Sequence, residues 1–363
     1  MTVFFGLASA LMFGLLDLLI ARVSKTLGIM STIVFAHGAA ASILLIYLFA
    51  HGSPTSFGFP SGEISTLLWV GAGLGMLSCL TNLSLYQGLS FGPMALISPL
   101  TASYGLITIL LAIVFLHEIP SPATSVIFLE MIGGMILATN TGTNEMAAQT
   151  VIRPSRTTTI FLISTLALSL LTGSILFVLL GWLEVPSWLV LFWSVCETTC
   201  VLLACSFALV PLFIRHQRWA KQKQQVGLLF GMGAMLGFGS EYFLLSLATA
   251  HLGPIAPVAV SRVGSTFLLF AYARHQRVEG WGYIKLKHFS AMALIGLLDV
   301  LGTICYNLGT VQSTVLVATL SSIYPLLPLL VGIFWYRERI SLLQWGGVSI
   351  LMLGMVVLSL LRT

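Results

Sequence analysis

A chain of 363 residues in which 58% are hydrophobic and only 7% are charged is not a soluble globular protein, since such proteins carry charge at about a quarter of their positions. Apolar runs of about 20 residues recur along the whole length, each enough to cross a hydrocarbon core of about 30 Å, and no stretch remains for a soluble domain. The net charge of +5 is therefore read against a lipid bilayer, not against nucleic acid.

Spans are predicted near residues 3 to 22, 30 to 50, 65 to 88, 93 to 116 and 123 to 140. The first has no basic residue ahead of it and more spans follow at once, which predicts a retained helix instead of a cleaved signal peptide. A polar stretch from Thr141 to Thr157 comes next, with Glu145, Arg153, Pro154 and Arg156. The apolar region from 159 to 214 is too long for one crossing and is broken at Glu184, Pro186 and Ser187, so it reads as a two-helix hairpin. Beyond the basic segment Arg215, Arg218, Lys221, Lys223 lie five more spans, near 226 to 248, 254 to 273, 290 to 309, 313 to 336 and 341 to 361.

The chain repeats itself. Shifted by 220 positions, Tyr86 falls on Tyr306, Tyr104 on Tyr324, Glu118 on Glu338 and Gly134 on Gly354. Shifted by 225, Gly6 meets Gly231, Phe13-Gly14 meets Phe238-Gly239, and Leu27-Gly28 meets Leu252-Gly253. The change of offset fits a difference in loop length within each copy. Five spans, a two-helix insert and five more spans place the second copy in the membrane from the opposite side, an inverted repeat. The expected fold is thus an all-α polytopic membrane protein of 12 transmembrane helices, in three parts: residues 1–141, a loop and hairpin over 142–224, and residues 225–363.

Charge gives a separate test of that count. With twelve spans, fourteen of the sixteen basic residues fall in loops on one side, Arg362 falls on the other, and Arg262 lies within a span. The positive-inside rule then puts both termini on the non-cytoplasmic side of the plasma (bacterial inner) membrane. The same basic loops suit contact with anionic lipid headgroups.

Two five-helix units with a glutamate at the end of the fourth helix and glycines in the fifth resemble the drug/metabolite transporter superfamily, its EamA-like members above all. The residues that carry the likeness are Glu118 with Gly133-Gly134, Glu338 with Gly346-Gly347 and Gly354, and Arg262 in the second helix of the second unit. The resemblance implies alternating-access movement of a metabolite or drug, often export. Two departures stand out: the central hairpin is extra to ten helices, and His37 occupies the position that matches Arg262.

Ionisable groups inside a membrane cost about 2.5–3.5 kcal/mol or more, so each has a partner or a task. They are Asp17, His37, Glu130, Glu197, Glu241, Arg262 and Asp299. Asp17 and His37 flank the turn at Gly28 at similar depth, and Glu241 and Arg262 flank Gly253 in the same way, which predicts that each pair meets. Three readings stand for these pairs: a neutralised lock on a helix hairpin, a part in the transport cycle, or a mixture in which Glu241 with Arg262 is the lock and Asp17 with the titratable His37 is the proton-responsive side. Glu130 and Asp299 are alone on their helices and read as cavity carboxylates for a proton or a cationic group, or as acids bonded to nearby backbone. Glu197 reads as packing the hairpin onto the core. Glu118 and Glu338 read as anchors at helix ends.

Tyr86, Tyr104, Tyr306 and Tyr324 recur in matched positions and read as cavity lining or as packing. Pro99, Pro257, Pro325 and Pro328 interrupt helices, freeing carbonyls that are tolerable only toward protein or a cavity. Cys79, Cys196, Cys200, Cys205 and Cys305 all lie in apolar runs and read as small packing residues. No nucleotide-binding loop, paired-aspartate motif or zinc-spaced His/Cys cluster is written in the chain, so no catalytic residue, cofactor or metal is expected. One membrane-embedded cation is too few for a phosphorylated substrate. The expectation is a secondary transporter of a small neutral, zwitterionic or cationic solute, either coupled to protons or running as an exchanger. A membrane-embedded lipid-modifying enzyme and a non-transporting scaffold are the alternatives.

Overall fold

The computed structural model describes residues 1–50, 64–116, 126, 127, 130, 133, 134, 137, 187–214, 219–275, 286–311, 314–335 and 341–360. Among them every regular element is a helix: α1 (Thr2–Leu27), α2 (Ile29–Ala50), α3 (Ile64–Phe91), α4 (Met94–Ala102), α5 (Tyr104–Leu116), α6 (Ser187–Ile214), α7 (Trp219–Leu252), α8 (Ala256–His275), α9 (Leu286–Thr310), α10 (Thr314–Ser321), α11 (Leu326–Phe334) and α12 (Leu342–Leu360). Helices are what such sequences must form in lipid, because every backbone N–H and C=O is then bonded within its own segment. Eight helical stretches among the described residues are long and apolar enough to cross a membrane, with Leu342–Gly354 as a shorter apolar helix. The first arm of the predicted hairpin, Glu118, Glu338 and the loop from Thr141 to Thr157 lie outside the described residues.

Glycine sets the turn between the first two helices of each segment. Gly28 has φ 82° and Gly253 φ 78°, a region that side-chain-bearing residues rarely adopt. The pairing of Leu27-Gly28 with Leu252-Gly253 is thus a pairing of two identical turns. The fourth span is broken in both segments. It splits into α4 and α5 at Ser103, and into α10 and α11 across Ser322–Pro325. Pro325 lies in the break ahead of α11 as expected, whereas Pro99 lies inside α4, which runs on to Ala102. Pro257 and Pro328 instead lie in the first turns of α8 and α11, where the missing N–H would have had no partner.

The two segments pack mainly on each other. α1 lies against α9 and α10, and α3 against α7 and α8, while α2 packs on α8 and α9. These contacts are reciprocal at the level of single residues. A Cβ added at Gly6 would meet Leu320 at 2.7 Å, and at the matched pair one added at Gly231 would meet Leu100 at 3.0 Å. One at Gly14 would meet the Tyr324 carbonyl at 2.8 Å, and one at Gly239 the Tyr104 carbonyl at 2.9 Å. Each contact is found again with the segments exchanged.

α6 sits outside this pairing, against α7 and α3. Cys196 Sγ donates to the Gly73 carbonyl at 3.3 Å and Thr199 Oγ1 donates to Ser240 Oγ at 2.9 Å, with Phe192 fully buried beside Gly73. Glu197 is half-exposed on the same helix, so small, hydroxyl and aromatic groups hold α6 in place instead of its carboxylate.

Candidate functional site

Two polar centres are buried where the segments meet. The first is built around Arg262 on α8. Its Nη1 donates to Ser78 Oγ at 2.7 Å and to Glu241 Oε1 at 3.2 Å. Its Nη2 donates to Asp299 Oδ1 at 2.9 Å and to Thr303 Oγ1 at 3.2 Å. Nε lies 2.7 Å from Asp299 Oδ2, an ion pair that is off the line of the N–H bond. Four helices, α3, α7, α8 and α9, therefore close on one guanidinium, and all three of its nitrogens are engaged. Asn82 Nδ2 adds a bond to Ser78 Oγ at 3.2 Å. His37 on α2 meets Ser265 Oγ through Nδ1 at 3.1 Å and lies within electrostatic reach of Arg262 and Asp299.

Charge does not balance at this centre. One guanidinium faces two carboxylates, and Asp299 takes the two-pronged contact. Glu241 meets Arg262 through Oε1, with Ser78 also in reach of its carboxylate, and its Oε2 is buried without a hydrogen-bond donor among the described residues. An orphaned carboxylate oxygen in a buried site is costly unless a proton or a cation satisfies it.

The second centre surrounds Asp17 on α1. Ser98 Oγ on α4 donates to Asp17 Oδ2 at 2.7 Å, and Tyr324 is also in hydrogen-bonding reach of Ser98. No basic side chain among the described residues pairs with Asp17, although it is 3% exposed. Aromatic rings fill the neighbourhood. Phe13, one turn before Asp17 on α1, contacts Tyr324 at 6.2 Å and Tyr242 at 5.8 Å between centroids. Tyr242 meets Tyr104 at 4.8 Å and Tyr306 at 4.4 Å, and Phe238 stacks on Tyr242 at 6.0 Å. Tyr104 Oη and Ser321 Oγ are 2.5 Å apart, joining the two broken helices. Tyr86 is buried between the centres, within electrostatic reach of Asp17, Asp299 and Arg262.

The family model described as the EamA-like transporter family matches residues 1–140 and 225–360, the two segments that pack on each other. The chain belongs to this family. No curated protein matches it. An EamA-like chain is an integral, multi-pass membrane protein of a transporter family, and both centres lie between its two matched segments.

Several expectations from the sequence are corrected by this geometry. Glu241 meets Arg262 as expected, but Asp17 does not meet His37. Equal depth on a helix hairpin does not fix the direction in which a side chain points, and α2 turns toward α8 and α9 instead of lying along α1. A long arginine reaches across a splayed hairpin; an aspartate cannot. Asp299 is not alone, since it holds Arg262. Glu130 does not line the interior: it is exposed beside Val126, while Ile127 and Gly134 face inward, the latter against α12 at Gly347 and Ile350. All four matched tyrosines are buried, and Tyr104, Tyr306 and Tyr324 belong to one aromatic cluster.

Ser78, Ser98, Ser265, Thr303, Tyr242 and Ser321 were not singled out by sequence. Hydroxyls are common in apolar helices, so the serines and Thr303 carried no signal. Tyr242 carried one, because the 225-residue offset places it on Asp17.

Proposed function

We propose that this chain is a secondary transporter of a small neutral, zwitterionic or cationic solute, working by alternating access and coupled to protons. Its two matched segments act as inverted five-helix repeats, residues 1–141 and 225–363, with residues 142–224 as a loop and hairpin insert. The observation that carries this reading is the reciprocal packing of the two family-matched segments around buried polar centres to which both contribute. A scaffold has no use for uncompensated charge at its middle, whereas a transporter needs a midplane site between repeats. The lone Oε2 of Glu241 is where a coupling proton binds on one side and leaves on the other. Arg262 is committed to its own carboxylates and so offers no group to an anionic substrate.

Proteoliposomes loaded with a metabolite panel and given a pH gradient, then its reverse, provide the test. The wild type is expected to accumulate at least one solute and to reverse direction with the gradient. Glu241→Gln is expected to exchange that solute while losing the response to pH. If nothing in the panel moved under either gradient, the transport reading would fall. An undiminished pH response in Glu241→Gln would remove the coupling role while leaving transport in place.

A further inference from the structure

The geometry points to an organic-cation site at Asp17, in which the carboxylate and the rings of Phe13, Tyr86 and Tyr324 receive an alkylammonium group. This deepens the transporter reading and rests on it for the ligand's passage, though not for its binding.

The two centres divide the work of charge in opposite ways. Around Arg262 the protein supplies two carboxylates of its own, and all three guanidinium nitrogens have a partner in a hydrogen bond or an ion pair. Around Asp17 it supplies the carboxylate and no cation among the described residues. The surroundings are not those of a carboxylate that is simply solvated in place. Among the described residues the Ser98 hydroxyl is its hydrogen-bond donor, and the rings of Phe13, one turn away, of Tyr86 and of Tyr324 stand near it. A metal ion is poorly served by that set, because hard cations want several oxygen ligands. An alkylammonium is well served: the rings present negative π faces to its positive surface, and the carboxylate neutralises its charge.

The mounting of the rings adds a second observation. Tyr104 and Tyr324 stand at the breaks of the two fourth spans, where helical bonding is interrupted. In this structure the rings close on one another, with Tyr104 and Tyr324 stacked at 6.4 Å between centroids. A shift at either break parts them without disturbing the continuous helices α1, α7 and α9.

Equilibrium binding to the purified full-length protein in detergent tests the site directly. The probe is labelled benzyltrimethylammonium, and the control is its uncharged isostere 2,2-dimethylpropylbenzene, which has the same shape. Binding of the ammonium with at least tenfold preference over the isostere is expected. Asp17→Asn should weaken the ammonium at least tenfold and leave the isostere unchanged. Tyr324→Leu should weaken it about tenfold and Tyr324→Phe only a few-fold, since the ring is kept. Equal affinity for the two probes, or no ammonium binding to the wild type, overturns the proposal, and that measurement needs no variant to fold. Asp17→Asn that elutes as a monodisperse species and binds the ammonium as the wild type does overturns it too. Proteoliposomes separate the two readings: Asp17-dependent binding without movement of any solute sinks transport and keeps the site, while transport of an uncharged solute with no ammonium binding does the reverse.

Discussion

Arg262 and Asp17 lie in the same interface, are both almost fully buried, and are held in opposite ways. The arginine meets two carboxylates and two hydroxyls from three other helices. Among the described residues the aspartate is bonded to one serine, with the rings of Phe13 and Tyr324 close by. A charge whose partners are all built in ties helices together, and its removal leaves those partners stranded. A charge with no built-in counter-ion does little for the fold and keeps its electrostatic energy for something that arrives. Burial alone does not separate the two cases; the inventory of partners does.

The largest effect should come from breaking the first centre. Arg262→Met strands Glu241 and Asp299 in an apolar interior, and the expected loss is about 3–5 kcal/mol of stability. Thermal unfolding of the purified protein in detergent would measure it. Adding Glu241→Gln and Asp299→Asn to the same variant should recover most of the loss, because the cost lies in the unpaired charges. Failure of that recovery would mean that the guanidinium holds α3, α7, α8 and α9 by shape more than by charge.

Asp17→Asn should do the opposite. An amide oxygen still accepts from Ser98 Oγ, so stability should change by less than about 1 kcal/mol. Uptake of an ammonium solute should nevertheless fall at least tenfold, about 1.4 kcal/mol or more. If Asp17→Asn unfolded as readily as Arg262→Met, the contrast between a locked centre and an open one would collapse.

Much of this arrangement was written in the chain as a repeat. The offsets of 220 and 225 paired Gly6 with Gly231 and Phe13-Gly14 with Phe238-Gly239, and the same pairs return as reciprocal close contacts in space. Identical close contacts need identical small residues, and that is why the repeat is legible at Gly6 and Gly14 and at Gly231 and Gly239. The pairing of charges was less legible. Depth along a helix follows from counting residues, whereas azimuth depends on which neighbour a helix chooses, and α2 chose α8 and α9. Glu130 shows the same limit, since it looks outward from a helix whose next turn, at Gly134, packs on α12. Asp299 could have been placed by charge alone, because the second segment has one cation within its spans for two acids on flanking helices.

The smallest expected effect compares the two matched tyrosines, and it sharpens the contrast within the second centre itself. Tyr104 Oη is joined to Ser321, a neutral hydroxyl on the opposite broken helix. Tyr324 reaches Ser98, the residue that also holds Asp17. Phenylalanine at either position keeps the ring, so cation–π attraction and stacking are preserved. Tyr104→Phe should cost about 0.5–1.5 kcal/mol in thermal unfolding, the worth of one neutral hydrogen bond, and should leave the KM for an ammonium solute unchanged. Tyr324→Phe should cost a similar amount and raise that KM a few-fold, because it loosens the serine that aims the carboxylate. The two residues occupy equivalent places in the repeat, so a difference in KM between them has to come from what each is bonded to. Equal KM values would mean that Ser98 holds Asp17 without help, and the ammonium would then be positioned by Asp17 and the ring faces alone.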